Sequence, residues 1–189
     1  GRNTKAAAWP CHGSAELAAT VVERAVKYTY EDNVCTHSYS YVWYGIKEWT
    51  EHIDWMALQG VNVFLAMTGQ EEIQYKVFSK FGLNDTQIRS WFNGPALLTW
   101  SRGQNEYGSD IAGPLPRSWM QSQWALQKQI LARMRQLGIV PVLPAFQGDV
   151  PPVMKTELFP SANISVQGSG RHYAAWLDAT DPLFQQIGD

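Results

Sequence analysis

The chain has 189 residues, 45% hydrophobic and 17% charged, which is enough for one domain with a real core and excludes an intrinsically disordered segment. A formal net charge of −2 with no basic block excludes the electrostatic footprint of nucleic-acid binding, and no stretch approaches the ~18 uninterrupted apolar residues of a membrane span. Two cysteines, Cys11 and Cys35, exclude a disulfide scaffold and permit one bridge, which the sequence leaves undecided, while the scattered His12, His37, His52 and His172 lack metal-ligand spacing, so neither metal nor cofactor is expected.

Residues 1–28 read as an N-terminal remnant or leader. Gly1–Lys5 lacks a hydrophobic signal core, and Ala-rich Leu17–Val26 suits a helix with no evident partner. The folded domain is expected over 29–189. Val34–Tyr44, rich in Tyr, Val, Trp and Thr, predicts a strand. Ile46–Gln59 sets Ile46, Trp49, Ile53, Met56 and Ala57 on one helical face, and Gly60 follows where a left-handed cap is usual. Val61–Ala66 is a short apolar run of the buried-strand type. Glu71–Phe81 predicts a helix with Ile73, Val77 and Phe81 at spacings of four, and Asp85–Phe92 a second, with Asp85 as N-cap or first-turn acid. Beyond a Gly/Pro-rich stretch, Ser118 is expected to cap a long helix to Leu137, with Trp119, Leu126, Ile130, Met134 and Leu137 inward. Gly138 ends it, and Ile139–Leu143 reads as another buried strand.

Short apolar strands alternating with helices predict an α/β fold with a parallel sheet. The helix-to-strand joints Gln59-Gly60 and Leu137-Gly138 are tight, whereas Pro95–Arg117 and Pro144–Val166 are long. That asymmetry belongs to a (β/α)8 TIM barrel, whose C-terminal loops carry the site. A whole barrel needs eight strands and about 250 residues. The expectation is therefore a partial barrel, the first three or so βα units, in a fragment of a larger domain.

Nine tryptophans are the loudest compositional signal. Indole rings beside polar groups suit a sugar cleft, because a pyranose has an apolar C–H face and a rim of hydroxyls; core packing is the competing reading for any single ring. The run Asn33-Val34-Cys35-Thr36-His37-Ser38-Tyr39-Ser40-Tyr41-Val42-Trp43 resembles the opening of the barrel in glycoside hydrolase family 89, the α-N-acetylglucosaminidases. So do Ile53-Asp54-Trp55-Met56-Ala57-Leu58-Gln59-Gly60-Val61-Asn62, Gly69-Gln70-Glu71, Phe92-Asn93-Gly94-Pro95-Ala96, Leu98-Thr99-Trp100, Gly113-Pro114-Leu115-Pro116 and Pro141-Val142-Leu143-Pro144-Ala145-Phe146-Gln147-Gly148. The likeness covers roughly residues 30–189 in order; residues 1–28 match poorly.

The resemblance implies an exo-acting retaining hydrolase that removes terminal α-linked N-acetylglucosamine, in animals from heparan sulfate, with no cofactor. It implies a lysosomal or secreted protein, and homo-oligomerisation is compatible with it. The family's two catalytic glutamates lie on later barrel strands, so no catalytic residue is carried over and the chain alone is expected to be inactive. Asn33, Cys35 and Tyr39 match first-strand pocket residues, and the even spacing of Asn33, Cys35 and Tyr39 is consistent with inward projection from a strand. Interior packing is the competing role, above all for Cys35. Trp100 matches a pocket tryptophan, and Gln70 follows a strand end facing the site. Glu71 and Glu72 have a simpler role as acids at a helix start. Where the family has Trp after Gly-Ser, Gly170 follows Gly168-Ser169, with Trp176 or Tyr173 as substitutes. The sequons Asn84-Asp85-Thr86 and Asn163-Ile164-Ser165 are candidate glycosylation sites.

Three rival readings remain: a carbohydrate-binding module, disfavoured by the long helix; a helical interaction protein, disfavoured by the buried strands; and a truncated, non-catalytic product. Asp149, Asp178 and Asp181 are expected to be structural, Asp149 ahead of a stiff surface loop and Asp181-Pro182 at a helix or turn start.

Overall fold

The computed structural model describes residues 25–103, 107–108, 114–166 and 175–189. Most of the Leu17–Val26 segment, Cys11, Gly168–Gly170 and Tyr173 lie outside them.

Three parallel strands, β1 (Tyr30–Glu31), β2 (Val63–Leu65) and β3 (Val140–Val142), lie side by side in chain order, with Tyr30 opposite Val63 and Val63 opposite Val140. The crossover from β1 to β2 runs through α1 (Thr36–Tyr39) and α2 (Ile46–Leu58). The crossover from β2 to β3 runs through α3 (Gln70–Lys80), α4 (Asp85–Trp91), a 3₁₀ turn at Pro95–Leu97, α5 (Leu98–Arg102) and α6 (Arg117–Gln136). The parallel α/β arrangement expected from the sequence is present. A second sheet was not foreseen in the segment after β3. There, β4 (Asp149–Val150), β5 (Ile164–Val166) and β6 (Ala175–Leu177) pair antiparallel in the order β4-β6-β5, and α7 (Pro182–Gly188) follows.

The helices obey their apolar periodicity where it is strong. Trp49, Ile53 and Met56 of α2 and Leu126, Ile130 and Met134 of α6 are buried together with Phe64 of β2, forming the core between helices and parallel sheet. Gly60 ends α2 with φ 78, the left-handed geometry that a side chain resists. A second core joins Phe78 of α3, Ile88 and Trp91 of α4, Met120 of α6, Ala175 and Leu177 of β6 and Leu183 of α7.

Several local expectations are corrected. Val34–Tyr44 is not a strand: the Asn33 side chain accepts a hydrogen bond from the Cys35 N–H at 2.9 Å, Cys35 is helical at φ −67 and ψ −29, and the chain enters α1. This local side-chain bond overrides the β-propensity of the tyrosines and valines. Ser118 does not cap α6, which begins at Arg117 behind Pro116. Asp85 is a first-turn acid; Asn84 is the cap, in a reciprocal box where its Oδ1 accepts from the Gln87 N–H and Gln87 Oε1 accepts from the Asn84 N–H, both at 2.9 Å. On α3, Val77 and Phe81 pack with buried Phe78 against the second core, Glu71 and Glu72 are buried as well, and only Ile73 of the expected three is exposed, at 55%. Asp149 sits buried in β4, not before a surface loop, and accepts from the Tyr107 hydroxyl at 2.9 Å. Tyr107 stacks flat on Trp91, and its phenol is held well above the ordinary range by burial first and the Asp149 charge second.

Candidate functional site

The segments that leave β1 and β2 carry the sequence-predicted site residues. Beyond β1, the turn at Asn33 leads into α1, so Asn33, Cys35 and Tyr39 are held by a turn and a helix, and the alternation argument from a strand does not apply. Asn33 is exposed, with its amide oxygen on the Cys35 N–H. Cys35 is half-buried and carries a free thiol. Tyr39 closes α1 and is 76% exposed.

Trp100 meets this surface from α5. Its ring lies edge-on to Tyr39 with centroids 5.6 Å apart. Two bonds through Thr99 fix the approach: its N–H donates to Ser38 Oγ at 3.1 Å and its hydroxyl donates to the Val34 carbonyl at 3.0 Å. Tyr39 and Trp100 are therefore brought together from segments more than 60 residues apart, while Asn33 and Cys35 lie on the turn that leads into α1. Trp43 makes a second edge-on pair with Trp119 at 5.5 Å.

Gln70 goes elsewhere. Gly69 turns the chain with φ 75 against α6, where a Cβ would stand 2.7 Å from the Trp124 backbone, and Gln70 opens α3 directly after it. Its side chain lines a cavity of about 360 Å³ between α3, α6 and the segment after β3, together with Thr68, Arg102, Trp124, Gln127 and Lys128. None of Asn33, Cys35, Tyr39 and Trp100 lines that cavity.

Glu71 and Glu72 do more than favour a helix start. Glu71 receives Arg102 Nε at 2.7 Å and Nη2 at 3.1 Å, a buried two-pronged pair that ties α5 to α3. Glu72 receives Arg117 at the start of α6 and lies 3.4 Å from Lys76. Burial raises the Glu72 carboxyl, but the Arg117 and Lys76 contacts outweigh it and hold it below the usual range. These arginines left no signal in the sequence, because they lie 31 and 45 residues from their partners. Among the described residues there is no cluster of three or more His, Cys, Asp or Glu suited to a metal ion. Both sequon asparagines are exposed. Trp176 is half-buried on β6 opposite Ser165.

The family model described as the tim-barrel domain of alpha-N-acetylglucosaminidase (NAGLU) matches residues 29–189. Human alpha-N-acetylglucosaminidase is 44% identical over 168 residues, 86% of this chain and 22% of that protein, so the chain spans about a fifth of the length of the curated relative it matches. The structure of CpGH89 from Clostridium perfringens in complex with its substrate GlcNAc-alpha-1,4-galactose superimposes with a TM-score of 0.76 at 31% identity, covering 86% of this chain and 19% of that one. The same values hold for the family 89 glycoside hydrolase from Clostridium perfringens in complex with 2-acetamido-1,2-dideoxynojirmycin. With sequence and fold agreeing over this span, the chain belongs to the α-N-acetylglucosaminidase family, glycoside hydrolase family 89.

Proposed function

We propose that this chain supplies the first three βα units of the barrel of an exo-acting retaining α-N-acetylglucosaminidase, and with them one wall of its saccharide pocket. The observation that carries the reading is the Tyr39–Trp100 pair, an exposed phenol edge-on to an indole, to which the reading adds the exposed Asn33 amide. A ring face, a hydroxyl and an amide together match the apolar face and hydroxyl rim of a terminal N-acetylglucosamine. Cys35 is assigned to the same wall, and Gln70 is left to the neighbouring cavity. The catalytic glutamates are assigned outside these residues, as the family resemblance implies; Glu71 and Glu72 are held in arginine pairs. On this reading the chain alone does not cleave the substrate, which in animals is heparan sulfate. Exposed sequons at Asn84 and Asn163 support a lysosomal or secreted protein.

The test uses the full-length protein and a chromogenic α-N-acetylglucosaminide. Trp100→Ala is expected to raise KM about tenfold or more, the scale of one lost aromatic contact, with a smaller change in kcat. A KM equal to that of the parent enzyme removes Trp100 from the pocket and overturns the reading.

A further inference from the structure

The residues of α5 divide by what holds them. Leu98, Thr99 and Ser101 are buried, the Arg102 guanidinium is committed to Glu71, and half-buried Trp100 is left to meet Tyr39. The first N–H groups of a helix have no partner within it and need an acceptor from outside. Leu97 stands at the cap position of α5, where its side chain can accept nothing. The acceptor comes instead from α1, where Ser38 Oγ takes the Thr99 N–H at 3.1 Å.

The Thr99 hydroxyl, on a residue only 3% exposed, makes the second tie by donating to the Val34 carbonyl at 3.0 Å. That carbonyl stands just ahead of the turn that opens α1. The Asn33 carbonyl accepts from the Thr36 N–H, the Cys35 carbonyl from Ser38 and Tyr39, and the Thr36 carbonyl from Ser40 and Tyr41. Thr99 therefore holds α1 near both ends. Its hydroxyl grips Val34, between Asn33 and Cys35, and its N–H grips Ser38, next to Tyr39. Other ties of α5 run elsewhere: Arg102 reaches Glu71 on α3, and Ser101 Oγ accepts the Asn93 N–H at 3.4 Å from the segment after α4.

We propose that Thr99 and Ser38 are positioning residues for saccharide binding, whose two bonds set α1 against α5 so that Tyr39 and Trp100 meet the sugar together. The proposal rests on the saccharide reading above, because it acts through the two rings which that reading places in the pocket. The rings stand 5.6 Å apart at 75°, an edge-on geometry that a small slide of either segment would spoil. Thr99 and Ser38 serve it without touching the sugar.

The experiment uses the full-length protein and a chromogenic α-N-acetylglucosaminide. Thr99→Val keeps the shape of the side chain and removes its hydroxyl, whereas Thr99→Ser keeps the hydroxyl. T99V is expected to raise KM about three- to tenfold, the scale of one neutral hydrogen bond, with kcat within about twofold, and T99S to recover most of that loss. Because Thr99 acts through Trp100, T99V should add less than about twofold to the KM of W100A. Ser38→Ala, which removes the acceptor on the other segment, is expected to raise KM in the same direction, and it carries the test if T99V does not fold. With W100A raising KM, a parent-like KM in T99V or S38A, a T99S variant as poor as T99V, or T99V and W100A factors that multiply independently overturns the proposal. Hydrogen exchange supplies a readout without substrate. Protection of residues 33–41, referred to residues 46–58 of α2, should fall about three- to tenfold in T99V and in S38A, and unchanged protection overturns the proposal even where KM moves. If W100A itself keeps the parent KM, the saccharide reading is what fails, and the exchange measurement then decides whether the two bonds hold α1.

Discussion

Asp181 carries a local task on one carboxylate. Its Oδ1 accepts from the Leu183 N–H at 2.9 Å and caps α7 behind Pro182, as the Asp-Pro pair in the sequence leads one to expect, while its Oδ2 accepts from the Asn163 N–H at 2.7 Å. Both bonds favour the charged form, the Asn163 bond first, and they hold the carboxyl below its ordinary range. A carboxylate shifted down on folding stabilises fully above the unfolded value, near pH 3.9, and loses that contribution as pH falls through the lowered folded value. Asp181→Asn keeps an acceptor but not the titration. Urea midpoints of the full-length variant, followed from about pH 6 to about pH 2.5, should therefore fall less steeply in acid than those of the parent. The pH–rate curve should keep both limbs, because Asp181 holds backbone and touches no reacting group. A lost limb with normal folding would assign it to the chemistry instead.

At the scale of elements, α5 is the piece that needs explaining. Five residues do not make a stable helix by themselves. Leu98–Arg102 is held by the Thr99 bonds to α1 and by the buried Arg102–Glu71 pair to α3. Arg102→Ala leaves the Glu71 carboxylate buried without its guanidinium, which costs about 3–5 kcal/mol, whereas the E71L/R102M double variant recovers most of that loss. Thermal unfolding of the full-length variants reads the difference. KM should rise in R102A as well, since Trp100 rides on the same turn; an unchanged KM would mean that Thr99 alone fixes α5. The same elements explain how much of this molecule was legible. The helices α2 and α6 were readable because their apolar residues recur at helical spacing, and β2 and β3 because each lies in a short apolar run just after a tight glycine joint, although β3 is exposed at Val140 and Val142 where a buried strand was expected. The α1 segment was misread because one Asn33 side-chain bond outcompeted β-propensity. The strands β4, β5 and β6 are two or three residues long, too short for an alternation signal. Tyr39 and Trp100 entered through family resemblance rather than spacing. The buried contact of His37 with Asp32, 3.0 Å between Nε2 and Oδ2, had no cue, since a histidine five residues from an aspartate has no fixed meaning until the turn between them is known.

For the whole molecule, the consequential feature is the side of β3 that pairs with no strand among the described residues. The strand pairs with β2 on its other side, and Val140, Val142 and Leu143 are 56%, 41% and 55% exposed. An apolar strand edge of this kind invites pairing with another chain. Prepared by itself, this polypeptide should bind a hydrophobic dye, scatter light as concentration rises and melt without a sharp transition. The V140K/V142K double variant should cut that scattering several-fold by placing like charges on the edge. In the full-length protein the same change has the opposite value. If a further parallel strand closes the barrel against β3, the two lysines fall inside a paired, desolvated sheet and should cost about 2 kcal/mol or more, read as a lowered melting temperature. Improved solubility of the short chain with unchanged stability of the long one would mean that β3 remains an edge in both. The closed-barrel arrangement proposed above would then be wrong at its third strand, whatever the enzyme does.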